Sequence, residues 1–362
     1  MTTYLLAGGG TAGHVNPLLA VADRLLERHP GSTVLVLGTE EGLESRLVPE
    51  RGYELLTIPR VPFPRRPNRA ALRFPSRLRG TVDSVRAILR ERHVDVVVGF
   101  GGYVSAPAYL AARAERVPFA IHEANAKPGI ANRLGARFTP FVGTAFAGTR
   151  IRGGRVVGMP LRREIEQLDK FSARTEALAL FGLDGSKPTL LVTGGSSGAK
   201  RINDTVSQAI TLILGTGWQV LHVTGAYRDA VDDPYLPGYV VLQYADRMDL
   251  ALAAADLAVS RAGTATVAEL SGLGIPAVFV PYPVGNGEQR FNARGAVEAG
   301  GALMVRDALF TPDWVATGLV PLLRNRARIA DMAARIATVG ALDGTDRMVD
   351  LVDAAASRGT AP

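Results

Sequence analysis

Tyr4-Leu5-Leu6-Ala7-Gly8-Gly9-Gly10-Thr11-Ala12-Gly13-His14 opens the chain with an apolar run that breaks into a glycine-rich turn. The same grammar returns at Gly101-Gly102-Tyr103-Val104-Ser105 and at Gly194-Gly195-Ser196-Ser197-Gly198-Ala199-Lys200. In such a turn backbone N–H groups approach a ligand closely, and the helix that follows aims its positive dipole end at an anion. Two of these turns occupy equivalent places in the two halves of the chain. They predict a pair of α/β units on either side of a cleft that holds phosphates.

Outward from these turns, β-rich apolar runs alternate with helical periodicity throughout, the pattern of parallel α/β sheets. The first half carries predicted strands at 4–7, 33–37, 94–99, 119–122 and 141–144, and the second half at 189–193, 219–224, 239–243, 257–260 and 277–280. Each half then reads as Rossmann-like. After the first turn, Asn16 and Pro17 suit a helix N-cap and first position, with Leu18, Ala22, Leu25 and Leu26 at helical spacing. His14 therefore lies at a helix N-terminus. Gly158 and Pro160 mark a hinge, so the expected domains are 1–158 and 159–340, with a terminal helix at 341–357 packing back on the first.

A chain of 362 residues suits two cores, and it contains no cysteine, which removes disulfides, thiolate metal sites and thiol catalysis. No apolar run reaches the roughly 18 residues of a membrane span, and no basic leader precedes the first strand, so a cytoplasmic location is expected. The formal charge of +7 is concentrated: Arg60 to Arg92 holds ten arginines against Asp83 and Glu91, a local excess of +8. Val61, Phe63, Leu72, Phe74 and Leu78 interleave with them. Basic and apolar side chains together suit an anionic membrane surface. The bland alternative is an arginine-rich solvated face, and nucleic acid is disfavoured because no binding motif accompanies the charge.

Neither main loop fits a nucleotide fingerprint. Gly8, Gly10 and Gly13 satisfy G-x-G-x-x-G, but the nearest acid after the second strand, Glu40, lies beyond its end, and no turn finishes in Gly-Lys-Ser/Thr. At 260–269, a strand end, a glycine turn and a helix start follow in succession. There Glu269 either completes a capping box with Thr266 or accepts hydrogen bonds from a ribose. Downstream, Glu288, Gln289 and Asn292 have the donors and acceptors that sugar hydroxyls require, although such a cluster also serves ordinary loops.

Taken in order, Gly8 to His14, Gly101 to Pro107, His122-Glu123-Ala124-Asn125, Val157 to Arg162, Gly194 to Ala199, Arg261 to Glu269 and Glu288-Gln289 span almost the whole chain. This series resembles the N-acetylglucosaminyltransferase family of peptidoglycan synthesis. The resemblance implies the GT-B arrangement, two Rossmann-like domains facing across a cleft. It also implies transfer of N-acetylglucosamine from UDP-N-acetylglucosamine to the undecaprenyl-pyrophosphate-linked muramyl acceptor, lipid I, making lipid II at the cytoplasmic membrane face. Carried over by position, it assigns UDP-sugar contacts to Thr11, Ala12, Gly13, Asn125, Arg162, Ser196, Ala245, Arg261, Thr264, Ala265, Thr266, Glu269, Glu288 and Gln289. The C-terminal domain would then hold the donor, and the N-terminal domain the acceptor and membrane. Met159 stands where the family usually has Asn, Ala124 and Ser197 where it has Gln, and Glu288 replaces the first of two Gln.

An inverting transfer needs a base for the acceptor hydroxyl and a partner for the departing diphosphate. No Asp-x-Asp triplet occurs, so no metal and no cofactor are expected, and the helix N-termini after Ser196 and Gly263 with Arg162 or Arg261 would balance the charge. His14 is the first candidate base, although it could instead orient the loop or bind a phosphate. His122 and Glu123 are the alternative pair at a strand end. Gly102 and Tyr103 are candidate acceptor contacts. Competing readings are a UDP-N-acetylglucosamine epimerase, which needs no acceptor or membrane, and an inert UDP-sugar-binding subunit.

Overall fold

The computed structural model describes residues 1–64, 69–195, 197–226, 235–284 and 287–359. The chain divides into two compact units, one of residues 1–162 with 343–362 and one of residues 163–342.

Among the described residues of the first unit, one parallel sheet is built from β1 (Thr3–Gly8), β2 (Thr33–Gly38), β3 (Glu54–Thr57), β4 (Val96–Gly101), β5 (Phe119–Glu123), β6 (Val142–Thr144) and β7 (Gly154–Val156). Their order is β3-β2-β1-β4-β5-β6-β7. Successive residues of β1 face opposite ways, and both faces are buried. Tyr4 and Leu6 pack with Leu18, Val21 and Leu25 of the Ala12–Arg28 helix. Leu5 and Ala7 pack with Val85 and Leu89 of the Arg69–Glu91 helix and with Tyr109 of the Ser105–Glu115 helix.

The terminal Gly344–Gly359 helix belongs to this unit, with Met348, Val349, Leu351, Val352 and Ala355 in the same core as Leu6. Charges hold it as well: Arg24 and Arg28 pair with Asp346, Arg28 also with Asp350, and His29 Nε2 lies 2.9 Å from Asp353.

In the second unit β8 (Thr189–Thr193), β9 (Gln219–Val223), β10 (Tyr239–Leu242), β11 (Leu257–Ser260), β12 (Ala277–Phe279) and β13 (Ala302–Met304) form a parallel sheet in the order β10-β9-β8-β11-β12-β13. Leu190, Val192, Val220, Val259 and Val278 share a core with Ile202 and Val206 of the Lys200–Gln208 helix.

The two units repeat one device. Strand order reverses beside β1 in the first sheet and beside β8 in the second, so each has a switch point, β1/β4 and β8/β11, where diverging connections leave a crevice at the carboxyl ends. Three predicted turns, after β1, β4 and β8, and the Arg261–Gly263 turn after β11 all lie at these switch points.

One local expectation is corrected. The first helix begins at Ala12 with Thr11 as N-cap, so Asn16 and Pro17 lie inside it and do not start it. The backbone satisfies the helix start directly, with the N–H groups of His14 and Val15 both donating to Thr11 O at 3.0 and 3.1 Å.

Candidate functional site

In the first unit the site grows from the β1/β4 switch point. Gly10 takes φ +89°, a backbone angle that a residue with a Cβ rarely adopts, and this turns the chain from β1 into the helix. Gly102 has φ +83°, and a Cβ there would lie 2.7 Å from Gly9 O, so the two glycine turns touch through backbone. Ser105, fully buried, stitches them. Its Oγ accepts from Gly101 N at 3.0 Å and lies within donating distance of Ala7 O and Gly101 O, at 3.0 and 2.8 Å.

His14 sits in the first turn of the helix. Its Nδ1 is 3.1 Å from Gly9 O and 3.3 Å from Thr11 Oγ1. A carbonyl can only accept, so in the neutral ring Nδ1 carries the proton and Nε2 the lone pair. Burial lowers the histidine's pKa, against the Gly9 carbonyl and the Glu123 and Glu44 carboxylates, which raise it. The ring is therefore neutral at pH 7, as a base requires.

His122 and Glu123, the alternative pair, end β5 and are both buried. His122 Nε2–H donates to Gly158 O at 3.0 Å, Nδ1 has no partner among the described residues, and burial drives the pKa down to about 4. Glu123 accepts from Asn125 N, Gly129 N and Asn132 Nδ2, each at 2.9 Å. These bonds clamp the loop that carries Asn125, a bracing job that occupies both carboxylate oxygens. Tyr103 lies under the Arg60 guanidinium, 4.5 Å from ring centroid to Cζ. Arg162, half-buried, is the last residue of the unit's first segment.

In the second unit the β8/β11 switch point is flanked by two helix N-termini. The Lys200–Gln208 helix starts after Ala199 and the Thr264–Gly272 helix after Gly263, and among the described residues neither N-cap side chain makes a capping hydrogen bond. Thr264, Ala265 and Thr266 form the first turn of the second helix. With Gly263 as N-cap, Thr266 sits too far inside for the Thr266–Glu269 capping box, and that reading is corrected. Ser196 lies outside the described residues, and of Ala12 only the backbone is described.

Arg261 is held by Asp307 at 2.5 Å and by the carbonyls of Val280 and Pro281 at 3.0 and 3.4 Å. Its charge is already balanced. Gln289 Oε1 accepts from Ala262 N and Tyr282 N at 3.2 and 2.8 Å, which ties the 282–289 loop to the β11 turn and leaves the amide N–H groups outside those bonds. Asn292 is buried and donates to Ala262 O and Thr264 Oγ1, so it fixes the turn. Among the described residues, one buried carboxylate oxygen of Glu288 has no hydrogen-bond partner. Ala245 is buried just beyond β10. Among the described residues no cluster of three His, Asp or Glu is placed to hold a metal ion.

Sequence reasoning missed Glu44, Ser105 and Asp307. Glu44 stands four places beyond the acid considered after β2, in the first turn of the Glu44–Glu50 helix, and its carboxylate returns to the first glycine turn. A serine opening the helix after a double glycine was the available signal for Ser105.

Residues 4–143 match the glycosyltransferase family 28 N-terminal domain and residues 189–348 the glycosyltransferase family 28 C-terminal domain. A relative from Leifsonia xyli subsp. xyli (strain CTCB07) is named UDP-N-acetylglucosamine–N-acetylmuramyl-(pentapeptide) pyrophosphoryl-undecaprenol N-acetylglucosamine transferase. It is 62% identical to this chain, covering 97% of it and 98% of the relative. The crystal structure of Acinetobacter baumannii MurG superposes with a TM-score of 0.82 at 29% identity, over 98% of this chain and 100% of that one. A UDP-GlcNAc 2-epimerase from Neisseria meningitidis superposes with a TM-score of 0.66 over 98% of this chain and 100% of that one, but at 14% identity, a likeness of fold alone. With both domain models matched and 62% identity across nearly its whole length, the chain belongs to glycosyltransferase family 28, among the UDP-N-acetylglucosamine-dependent transferases of that kind.

Proposed function

We propose that this protein transfers N-acetylglucosamine from UDP-N-acetylglucosamine to the muramyl sugar of lipid I, making lipid II for peptidoglycan. The observation that carries the reading is the 62% identity, over 97% of the chain, to a protein named for that transfer. The acceptor hydroxyl attacks the anomeric carbon from the side opposite UDP. Its proton passes to His14 Nε2, the bond from anomeric carbon to diphosphate oxygen breaks, and UDP leaves with the electron pair, so configuration inverts. The Lys200–Gln208 and Thr264–Gly272 helices show no side-chain cap among the described residues, and the positive dipole ends of these helices would stabilise the developing negative charge. Because Arg261 is tied to Asp307, Arg162 is the better candidate for a cation at the diphosphate.

In this reading Thr264 to Thr266, Glu269, Glu288 and Gln289 hold the nucleotide sugar, with Ala245 and Ser196 as further proposed contacts. Thr11, Ala12, Gly13 and Asn125 are proposed as further contacts to the sugar nucleotide, and Gly102 and Tyr103 as contacts to the acceptor. The Arg69–Glu91 helix meets the cytoplasmic membrane surface. Its two ends differ in ion pairing. Arg86 and Arg90 are paired with Glu115, and Arg92 with Glu54. Arg73, Arg77 and Arg79 are exposed beside Leu72, which is 82% exposed, and have no ion pair among the described residues. No described helix is long and apolar enough to cross a membrane, so attachment would be peripheral.

The test is UDP release from UDP-N-acetylglucosamine with and without a lipid I analogue. A transferase releases UDP in proportion to acceptor; sugar conversion without an acceptor would instead indicate an epimerase.

A further inference from the structure

One buried carboxylate has no place in that chemistry. Glu44 is fully buried, yet it forms no ion pair among the described residues. Its Oε1 accepts from Thr39 N and Thr39 Oγ1, both at 2.9 Å, and its Oε2 accepts from Gly10 N at 2.7 Å. Two acceptor oxygens thus join the loop after β2 to the turn after β1. The fit is close enough that a Cβ on Gly9 or Gly42 would overlap the carboxylate.

The Gly10 N–H belongs to the same peptide unit as the Gly9 carbonyl. That unit is planar and trans, so its N–H and C=O point in opposite directions. At one end Glu44 Oε2 takes the N–H; at the other, 3.1 Å away, the C=O takes the proton on His14 Nδ1. With glycine on both sides, side chains do little to stop this peptide from rotating. Glu44 supplies the restraint. We propose that Glu44 is the positioning residue of His14, acting through the Gly9–Gly10 peptide to hold Nδ1 protonated and Nε2 open to the acceptor.

The proposal rests on the reading of His14 as the base. It assigns the turn a relay in which a carboxylate, one peptide plane and an imidazole stand in line, with the peptide where other acid–histidine pairs have direct contact. The titratable groups that face His14 are Glu44 from beyond β2 and, from β5, Glu123 and the neutral His122. Glu123 is fully engaged by its own loop, so Glu44 is the carboxylate whose bonds reach the ring's partner.

Glu44→Gln tests this with nearly the same shape. An amide has one acceptor oxygen where the carboxylate uses two, so either Thr39 N or Gly10 N loses its partner. The expected result is a drop in kcat of about 10- to 100-fold with little change in the KM for UDP-N-acetylglucosamine. The acid limb of the pH profile should move to lower pH, because the lost charge and a loosened Gly9 carbonyl both stop supporting the imidazolium. In a His14→Ala background, Glu44→Gln should cost almost nothing further. Loss of turnover in His14→Ala with an unaltered Glu44→Gln enzyme overturns the role of Glu44 alone. Wild-type turnover in His14→Ala overturns the base assignment first. Should Glu44→Gln fail to fold, the imidazole nitrogen spectrum of the unmodified protein decides: an Nδ1–H tautomer at neutral pH is expected, and an Nε2–H tautomer overturns the relay.

Discussion

His14 carries its ring on the first turn of a helix with Nδ1–H given to Gly9 O, which selects the nitrogen that can meet an acceptor. Replacing it with Ala should lower kcat by about 10²- to 10⁴-fold, the usual worth of a positioned base, while UDP affinity stays within a few-fold. Titration calorimetry with UDP beside steady-state rates checks both halves. The sign of the pH effect follows from the ring: only its neutral form accepts a proton, and burial holds its pKa below the ordinary histidine value of 6.5. Activity should therefore hold a plateau at pH 7 and fall on acidification only below pH 6.5. At this scale the glycine turns, His14, His122 and Glu123 were legible because residue type and position relative to a strand end declare them. Glu44 and Asp307 were not. Each acts across a long sequence gap, Glu44 on Gly10 and Asp307 on Arg261, and no local pattern announces such a partner.

Strands with strong burial were read nearly to the residue, β8 at 189–193 and β11 at 257–260 among them. The three missed strands, β3, β7 and β13, are short sheet edges. β7 is exposed throughout and β3 at both ends, so neither carries the continuous apolar signature of a strand covered on two faces. The first helix starts about one turn before the Asn16-Pro17 pattern suggests, because the glycine turn sets its start and Pro17 is accepted in the second turn. The Arg69–Glu91 helix makes a sharper prediction than the whole basic stretch does. Arg73→Gln with Arg79→Gln should weaken partition onto anionic vesicles by about 2 kcal/mol, roughly 30-fold, at about 1 kcal/mol per cation. Arg90→Gln should do far less, since Glu115 already balances that charge. Flotation at low and high salt measures this; equal losses for the two variants would remove the helix's exposed half from the proposed contact.

Across the molecule, two buried imidazoles set the acid behaviour. His122 and His222 are both driven to about 4 by burial. An unfolded chain binds their protons near the ordinary value, so between about pH 6.5 and 4 it holds more protons than the folded state does. Stability is accordingly full above that window and declines as pH falls through it, by roughly 3 kcal/mol per ring at the acid end. Calorimetric Tm should drop steadily over this range, and His222→Asn should flatten the slope; a Tm constant down to about pH 5 would contradict the assignment. Family membership, both sheets and their switch points agree with the order of motifs along the chain, whereas the pairing of the terminal helix with Arg24 and Arg28 depends on contacts over 300 residues apart. Purified protein would be given UDP-N-acetylglucosamine labelled in the sugar and a lipid I analogue, with and without EDTA, and label would be counted in the lipid product. Incorporation should survive EDTA and fall at least about 100-fold in His14→Ala; UDP-sugar binding with no label reaching the lipid would contradict the transferase assignment.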